Sequence, residues 1–444
     1  MWSERLAQWS GRQALVGDWG ELGYDALIER TAAWRGRLAS AGVGGGDVVA
    51  FEARGWSEMV PLFVALIDVG AVAVPLASVP DGALDQFLAI AQADVFISRQ
   101  NGEMAIARRP RSGPHHPLLA RLTENGLAGL VLFSSGSSGA PKAMVHDMRR
   151  LLARYEGKPR AAKRILCFLL PDHIGGINTL FHGLSYGGTV VTVDDRRPEA
   201  VCRTIERWRA EILPTTPSFL NLLLVSGALA DHDLSSLQLV TYGTELMPAT
   251  TLERIRAALP NVELLQTYGL SEVGILQSRS RPDGSLWVRV GGDGYETKIV
   301  DGILWIKARS AMLGYLNAPQ KFDDDGRFNT EDVVEQDGEW IKFCGRRSEI
   351  INVGGAKAYP AEIEAAMLTL SGVEDVVVRG ERNPLLGQCV VARVVLSTGE
   401  SAVAFRQRMR KELSGRLPAY MIPVKVDIEA GQLHGDRMKK LRKG

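Results

Sequence analysis

From Tyr24 to about residue 270, short apolar segments rich in β-branched residues alternate with longer amphipathic stretches. This alternation is typical of parallel β-strands covered by helices, because each parallel strand needs a crossover segment before the next strand begins. The pattern therefore predicts an α/β fold with parallel sheets. The strand candidates are DVVAFEA, AVAVPL, DVFIS, GLVLFSS, RILCFLL, TVVTVD, ILPTTP, LQLVTYG and ELLQTYG.

The pattern changes twice in the last third of the chain. Between Leu286 and Phe343 the segments LWVRV, YETKIV, GILWIKA and EWIKFC are separated by Gly-Asp or Asp-Gly turns, which predicts a small antiparallel, β-barrel-like subdomain at about residues 285–345. A helix from Pro360, the strands VEDVVVR, CVVARVVL and VKVDIE, and a helix through FRQRMRKELSGRL follow. We predict a large N-terminal domain over residues 1–346 and a smaller, mobile α+β domain over residues 347–444.

The composition restricts the possible partners. The 444 residues include 52 Lys and Arg against 51 Asp and Glu, and this balance gives no reason to expect nucleic acid. Cys167, Cys202, Cys344 and Cys389 lie far apart, so we expect buried thiols in a reducing compartment rather than disulfides or a zinc site. The start MWSERLAQWS lacks a signal-peptide core and no segment reaches membrane-spanning length, so we expect a cytoplasmic protein with access to ATP.

The segment GLVLFSSGSSGAPKAMVHDMRRLL predicts a strand, a Ser/Gly loop and then a helix. Glycines allow close approach to an anion, serines donate hydrogen bonds, and Lys142 adds a positive charge, so the loop suits nucleotide phosphates. The loop residues alone would more often be a flexible connector. A Walker motif is excluded because Lys142 precedes Ala143 instead of Ser or Thr.

The loop SSGSSGAPK resembles the signature loop of the adenylate-forming superfamily, which includes acyl-CoA synthetases, peptide-synthetase adenylation domains and luciferases. Further motifs follow in the family's order along nearly the whole chain, and together they are highly specific. These motifs are GAVAVPL (70–76), PDHIGGI (171–177), YGLSEVG (268–274), FNTEDVV (328–334), GRRSEIINVGGAKAYPAEIE (345–364) and LPAYMIP (417–423).

The resemblance implies an ATP site in which Tyr268 stacks on adenine, Ser271 donates to the α-phosphate and Glu272 binds magnesium. Asp332 would accept both ribose hydroxyls, and Arg346 would add positive charge nearby. The implied ATP-binding residues are Ser134, Ser135, Gly136, Ser137, Ser138, Gly139, Lys142, Gly243, Thr244, Glu245, Tyr268, Gly269, Ser271, Asp332 and Arg346.

The resemblance also implies two further catalytic positions. His173 would line the route between ATP and the acyl group, although a structural histidine is the commoner case and neighbouring Asp172 does not by itself make it a base. A lysine near the C-terminus would bridge the carboxylate and the α-phosphate. The family's Gly-Lys pair is absent, but Lys439 lies three residues before Arg442, as the family pattern requires; Lys440 is the alternative.

The expected function is ATP-dependent activation of a carboxylic acid to an acyl-adenylate, followed by transfer to a thiol after rotation about a hinge at Ser348. Coenzyme A is the first choice of acceptor, a carrier-protein phosphopantetheine the second and a free amine the third. An inactive nucleotide-binding module is the alternative class. The residues implied around the acyl group and thiol are His173, Gly176, Gly269, Gly274, Gly354 and Gly355.

Details of this expectation stay open. Asp172 lacks the Phe-Asp context of amino-acid-activating members, which favours a non-amino acid, either aromatic or aliphatic. Three positions depart from the family pattern, namely Ala143 after the loop lysine, Glu331 before Asp332, and Ser348 at the hinge.

Overall fold

The computed structural model describes residues 1–110, 113–134, 141–157, 160–431, 433–435 and 440. Two seven-stranded sheets, flanked by helices, form most of the chain up to residue 270. Four neighbouring strands of the first sheet and six of the second run parallel, and antiparallel strands lie at both edges of the first sheet and at one edge of the second. This arrangement confirms the predicted α/β class.

The spatial order of the strands in both sheets differs from their order along the chain. From one edge to the other, the first sheet contains Gly314–Tyr315, Lys142–Asp147, Gly129–Ser134, Val72–Leu76, Val48–Glu52, Val95–Gln100 and Glu103–Arg108. The second sheet likewise contains Glu263–Gln266, Leu239–Tyr242, Ile212–Thr215, Arg164–Cys167, Thr189–Thr192, Gln13–Gly17 and Gly20–Gly23.

Helices cover both sheets and also pack in the small domain. The helices of the large domain are Trp2–Leu6, Tyr24–Ser40, Trp56–Asp68, Leu84–Ala91, Pro117–Thr123, Met148–Leu152, Ile174–Ser185, Pro198–Trp208, Pro217–Ser226, Ala228–Asp231 and Ala249–Ala258. Those of the small domain are Pro360–Met367 and Ala402–Leu413.

Two further sheets are mainly antiparallel. A six-stranded third sheet follows the second, preceded by the short pair Gly269–Leu270 and Gly274–Ile275. Its strands are Gln277–Ser280, Val288–Gly291, Trp340–Arg346, Phe328–Asp337, Ile303–Ala308 and Tyr295–Val300. The small-domain sheet contains Ala356–Ala358, Ile351–Val353, Gly387–Leu396, Val373–Asn383 and Lys425–Ile428. The smaller C-terminal domain is thereby confirmed, while its boundary at residues 346 and 347 stays a prediction.

The predicted helix directly after the Ser/Gly loop is wrong. Lys142–Asp147 is a β-strand that pairs antiparallel with Gly129–Ser134, and the helix begins only at Met148. The second edge of this strand pairs with Gly314–Tyr315. Because a strand inside a sheet satisfies its backbone through distant partners, tertiary pairing overrides the local helical preference.

The expectations for the cysteines and for membrane spans have different outcomes. Cys167, Cys202 and Cys389 are buried free thiols, but Cys344 is partly exposed and donates to the Glu335 carboxylate, so the expectation of four buried thiols is wrong for Cys344. Among the residues described, no helix is long and apolar enough to cross a bilayer.

The helix Ile174–Ser185 lies where the two parallel sheets meet. Its Phe181 ring packs edge-on against Trp2 at 5.0 Å and against Phe63 at 5.4 Å between ring centroids. At its start, a Cβ on Gly176 would overlap with the carbonyl oxygen of Leu170. The helix can therefore approach residues 169–170 only with glycine at position 176.

We expect Gly176→Ala to destabilise the large domain by about 1 to 3 kcal/mol, because the added methyl group meets backbone that cannot move aside alone. Gly175→Ala is the matched control, since its Cβ would meet the end of the flexible Leu169 side chain. Thermal unfolding followed by circular dichroism measures both. Equal unfolding temperatures for the two variants would contradict the packing argument.

Candidate active site

A cleft of about 1520 Å³ opens at the carboxyl ends of several strands of the second sheet. Thr215, Gly243 and Thr267 line it just at or beyond the ends of three neighbouring parallel strands. Ligands of parallel α/β sheets usually bind at this edge, where loops leave the strands. The cleft is therefore the candidate active site.

One end of the cleft contains the ends of the phosphate-loop hairpin. Ser134 and Lys142 form a cross-strand pair and both line the cleft. Asn317 fixes the second strand, because its amide donates to the Pro141 carbonyl at 2.8 Å and its side-chain oxygen accepts from Ala143 N at 3.0 Å. The predicted loop residues Ser135, Gly136, Ser137, Ser138 and Gly139 lie outside the described residues.

Glu272 lies in the same part of the cleft and is held by the adjacent sheet edge. The Tyr315 hydroxyl donates to Glu272 Oε1 at 2.7 Å, and Met312 N donates to the Glu272 carbonyl at 2.8 Å. Tyr315 pairs with Met144, two residues after Lys142, so one edge strand places both the lysine and the carboxylate. Ser271 lines the cleft next to Glu272.

A buried carboxylate, Asp332, connects three parts of the site. It accepts from the Tyr268 hydroxyl at 2.6 Å and from Arg346 Nε at 3.1 Å. Burial raises the pKa of Asp332, although Arg346 and Tyr268 both oppose the shift. Burial lowers the pKa of Arg346, but the carboxylates of Asp332 and Glu272 more than offset it and the net shift is upward. The ring of Tyr268 stacks on Phe343 at 4.4 Å, and neither Tyr268 nor Asp332 lines the cleft, so their contacts with adenine and ribose stay predictions.

Two non-glycine residues beside the cleft have left-handed backbone conformations. Thr244 has a φ of 72° and Glu331 a φ of 61°, and both line the cleft. Such conformations cost about 1 to 3 kcal/mol each and concentrate at functional sites. Glu331 stands where the family pattern has glycine, and its carboxylate forms an ion pair with Lys321 at 3.1 Å.

His173 lines the cleft and caps a helix at its start. Its Nδ1 accepts from Gly175 N at 3.1 Å and so caps the helix Ile174–Ser185. The Asp172 carboxylate accepts from the backbone N–H groups of Ala77 and Ser78 at 3.3 and 3.2 Å. A catalytic role of His173 stays a prediction.

Several predicted residues do not line this cleft. Glu245 does not line the cleft, and its carboxylate accepts from Ser218 and from the backbone of Lys440, so the expected place of its backbone beside adenine stays a prediction. Gly176 does not line the cleft either and lies against residues 169–170 in the helix packing described above, so its acyl-pocket role stays a prediction. Gly274 lines a small adjoining cavity, and Gly354 and Gly355 form an exposed turn of the small domain. Gly243, Thr244 and Gly269 do line the cleft.

The sequence motifs do not identify the residues that line the opposite end of the cleft. Ile174, Asn178 and His182 recur every four residues on one helix face, Tyr186 follows in the same spacing, and all four line the cleft. The spacing could have identified a shared face. Arg154 and Arg160 lie in the same wall.

Comparison with known proteins agrees with this geometry. The family model "AMP-binding enzyme" matches residues 2–316, and the model of the AMP-binding enzyme C-terminal domain matches residues 362–433. The chain belongs to the AMP-binding enzyme family. The adenylate-forming superfamily inferred from the motifs is thereby confirmed.

The relatives of this AMP-binding enzyme include coenzyme A ligases. It is 29% identical over 365 residues to the indoleacetate–CoA ligase of Aromatoleum aromaticum, which covers 76% of this chain and 68% of that protein. It is 31% identical over 311 residues to the 4-chlorobenzoate–CoA ligase of a Pseudomonas species, covering 63% of this chain and 58% of that protein. The chain thus spans less than two thirds of the second relative.

Solved structures share the fold. The anthranilate CoA ligase AuaEII, solved with anthranoyl-AMP, superposes with a TM-score of 0.84 at 20% identity, covering 99% of this chain and 95% of that one. At this identity the match shows the common fold alone.

Lys440, the alternative catalytic lysine, lies at the contact between the two domains. Lys440 Nζ pairs with Glu364 Oε2 at 3.1 Å and donates to the Val376 carbonyl at 2.9 Å. Its backbone N donates to Glu245 Oε1 at 2.7 Å. The side chains of Lys440 and Glu364 are 9% and 3% exposed, so the pair is buried away from the cleft. Lys439 lies outside the described residues.

We expect Lys440→Ala to destabilise the small domain by about 3 to 5 kcal/mol, because it leaves the buried Glu364 carboxylate without its cation. Lys425→Ala is the control, since Lys425 is about half exposed in its pair with Glu381 and should change stability by less than about 1 kcal/mol. Urea unfolding measures both variants. A Lys440→Ala protein as stable as Lys425→Ala would contradict the structural role of this pair.

Proposed function

We propose that this AMP-binding enzyme is an ATP-dependent, AMP-forming acid–thiol ligase. A carboxylate oxygen of the acid attacks the α-phosphorus of ATP, the bond to the β-phosphate oxygen breaks, and pyrophosphate leaves. The sulfur of a thiol then attacks the acyl carbon, AMP leaves and the thiol proton is released. The atoms balance without an oxidant or reductant.

One observation carries the proposal. Lys142, Glu272 and Arg346 come from three distant segments, yet all three line one cleft at the carboxyl ends of parallel strands. Tyr315 and Asp332 fix the carboxylate and the guanidinium in place. Attack on the α-phosphorus requires groups that stabilise the developing negative charge, and cations, a metal-ligating carboxylate and preorganised donors provide this.

The chemistry needs little acid–base catalysis from the protein. A carboxylate is ionised at neutral pH and is already the nucleophile. Lys142 and Arg346 would hold the polyphosphate, while Ser271 would donate to the α-phosphate. His173 caps its helix through Nδ1 and would direct the rest of its ring toward the acyl group.

The site fits a magnesium ion through one protein carboxylate. Tyr315 occupies Glu272 Oε1, which orients the group and leaves Oε2 for a metal. In the described part of the chain, no cluster of three or more His, Cys, Asp or Glu could hold a metal alone. Glu272 together with nucleotide phosphates would match magnesium's usual ligands, and the bound ion would neutralise phosphate charge.

Coenzyme A is the proposed acceptor. The chain is similar to proteins named as coenzyme A ligases, and this similarity supports the choice. A carrier-protein phosphopantetheine is the second candidate because it presents the same thiol arm. Gly354 and Gly355 would lie beside that arm after the small domain turns about Ser348. The cytoplasm, where ATP is available, stays our prediction for its location.

The decisive variant is Lys439→Ala. We expect it to lower ATP–pyrophosphate exchange at least 100-fold and to change ATP affinity less than threefold, because this lysine would stabilise charge mainly in the transition state. Exchange with a panel of carboxylic acids and calorimetric titration with ATP measure the two effects. Lys443→Ala in the same segment is the control.

Unchanged exchange in Lys439→Ala would remove this lysine from the mechanism. If the native protein binds ATP but exchanges pyrophosphate with none of the acids, the inactive nucleotide-binding module is the better description.

The Tyr315→Phe variant tests the support of Glu272. Loss of the hydroxyl should lower the affinity for magnesium in the ATP complex about 10- to 100-fold, because groups that orient a metal ligand usually contribute this much to metal affinity. Calorimetric ATP titrations over a magnesium series measure the shift. Tyr420→Phe is the control, since Tyr420 lies on the small domain; an identical magnesium response in both variants would contradict the proposed support.

A further inference from the structure

The end of the cleft remote from the phosphate loop carries positive charge. Arg154, Arg160 and Arg309 line it, and within the described ranges none of the three forms an ion pair. Of the acidic residues nearby, Glu156 is paired with Arg5 at 3.5 Å. Asp293 also lines the cleft. This wall therefore has excess positive charge before any ligand binds.

The arginines are placed on an aromatic surface. The guanidinium of Arg154 lies 5.6 Å from the Tyr155 ring centroid, and that of Arg160 lies 5.8 Å from the Tyr186 ring centroid. The ring of His182 packs between these tyrosines, at 6.0 Å from Tyr155 and 5.0 Å from Tyr186. Stacking on rings restricts where the cations can go and covers one side of them.

The arginines of this cluster affect the pKa of the neighbouring His182. Burial, followed by the charges of Arg160 and Arg154, lowers the pKa of His182 to about 4. The imidazole is therefore neutral near pH 7, and the positive charge of the wall comes from the arginines. A neutral ring can still donate one hydrogen bond to an anion.

Asn178 adds a neutral donor between the two ends. Its side-chain oxygen accepts from the Tyr155 hydroxyl at 3.0 Å. The Asn178 side chain also lines the cleft, and its amide group can donate to a ligand. The single Tyr155 hydroxyl proton is shared with the Asn178 backbone carbonyl, also at 3.0 Å, and these contacts fix the tyrosine against the helix.

The helix gives the distance between the two ends. Ile174 lies next to His173 near the nucleotide side, and His182 lies eight residues further along the same face. At 1.5 Å per residue, this separation is about 12 Å along the helix axis. Ile174, Ile275 and Leu276 line the intervening space, so its middle is apolar.

Taken with the proposed acid activation, on which the inference rests, the geometry points to an acid with a second anionic group. We propose that Arg154 and Arg160 select a carboxylic acid whose apolar body carries another carboxylate at its far end. One carboxylate lies near His173 for adenylation, and the other meets the two guanidinium groups. Such acids include α,ω-dicarboxylic acids and carboxyl-substituted arylalkanoic acids.

The phosphates of coenzyme A are the other source of the same charge. The acid is favoured because the arginines line the compartment that His173 and the apolar residues share. The exposed turn at Gly354 and Gly355, proposed for the thiol arm, is not part of this wall.

The test uses ATP–pyrophosphate exchange by the full chain without any thiol, so coenzyme A cannot contribute. Diacids of increasing length are compared with monoacids of the same carbon number, and carboxyl-substituted arylalkanoic acids with their parents. We expect the best diacid to exceed its monoacid in kcat/KM by about 10- to 100-fold, as one or two charge-assisted hydrogen bonds would give.

The paired variants Arg154→Gln and Arg160→Gln should lower the ratio of diacid to monoacid kcat/KM by the same factor, mainly through KM. Arg149→Gln is the matched control, because Arg149 belongs to the neighbouring helix but not to the cleft wall. An unchanged ratio in the double variant, or equal native activity on both acid classes, overturns the inference. A double variant in which only the KM for coenzyme A rises in the complete reaction overturns it too.

A binding measurement separates this inference from the proposed function. Calorimetric titration of the best diacid and its monoacid into the native protein requires no turnover. If no acid supports exchange, the proposed activity fails, whereas tighter diacid binding that the double variant loses still supports the arginine site. Equal binding of both acids contradicts it.

Discussion

The buried Asp332 carboxylate is the point on which the candidate site depends. Its two partners, Tyr268 and Arg346, belong to the loop after the second sheet and to the last strand of the third sheet. Removing one partner of a buried carboxylate costs more than the lost hydrogen bond, because no water can take the place of that partner. The loop and the third sheet are therefore held in one arrangement as far as Arg346, which directly precedes the turn Arg347–Glu349.

Much of the architecture could be predicted from hydrophobic patterning. Continuous apolar runs such as DVVAFEA and TVVTVD form parallel strands because both of their faces are covered. Lys142–Asp147 was missed because its sequence continues into a helix, and only pairing with Gly129–Ser134 and Gly314–Tyr315 makes it a strand. The strand Phe328–Asp337 was seen only as a nucleotide motif, although its residues alternate between buried and partly exposed.

The site residues likewise fall into those that local motifs identify and those that depend on partners far away in the sequence. Lys142, Glu272 and Arg346 were found because the motifs surrounding them are short and local. Tyr315 and Asn317 were missed because their partners are 43 and 174 residues away, a relation that no local pattern contains. The partners of Glu245 could not be predicted for the same reason, since a motif position does not show that Ser218 and Lys440 bind its carboxylate.

The two ends of the cleft would bind negative charge that behaves differently during the reaction. At the phosphate end, charge moves from the carboxylate to the phosphorus and then to pyrophosphate, so cations and a metal-ligating carboxylate must both be present there. At the arginine end, a substrate charge would stay in place throughout the reaction. Arg154 and Arg160 can bind that charge without opposing carboxylates, and binding energy gained there can hold the reacting carboxylate near the α-phosphate. Under the proposed function, discrimination between acids would therefore arise about two helical turns away from the atoms that react.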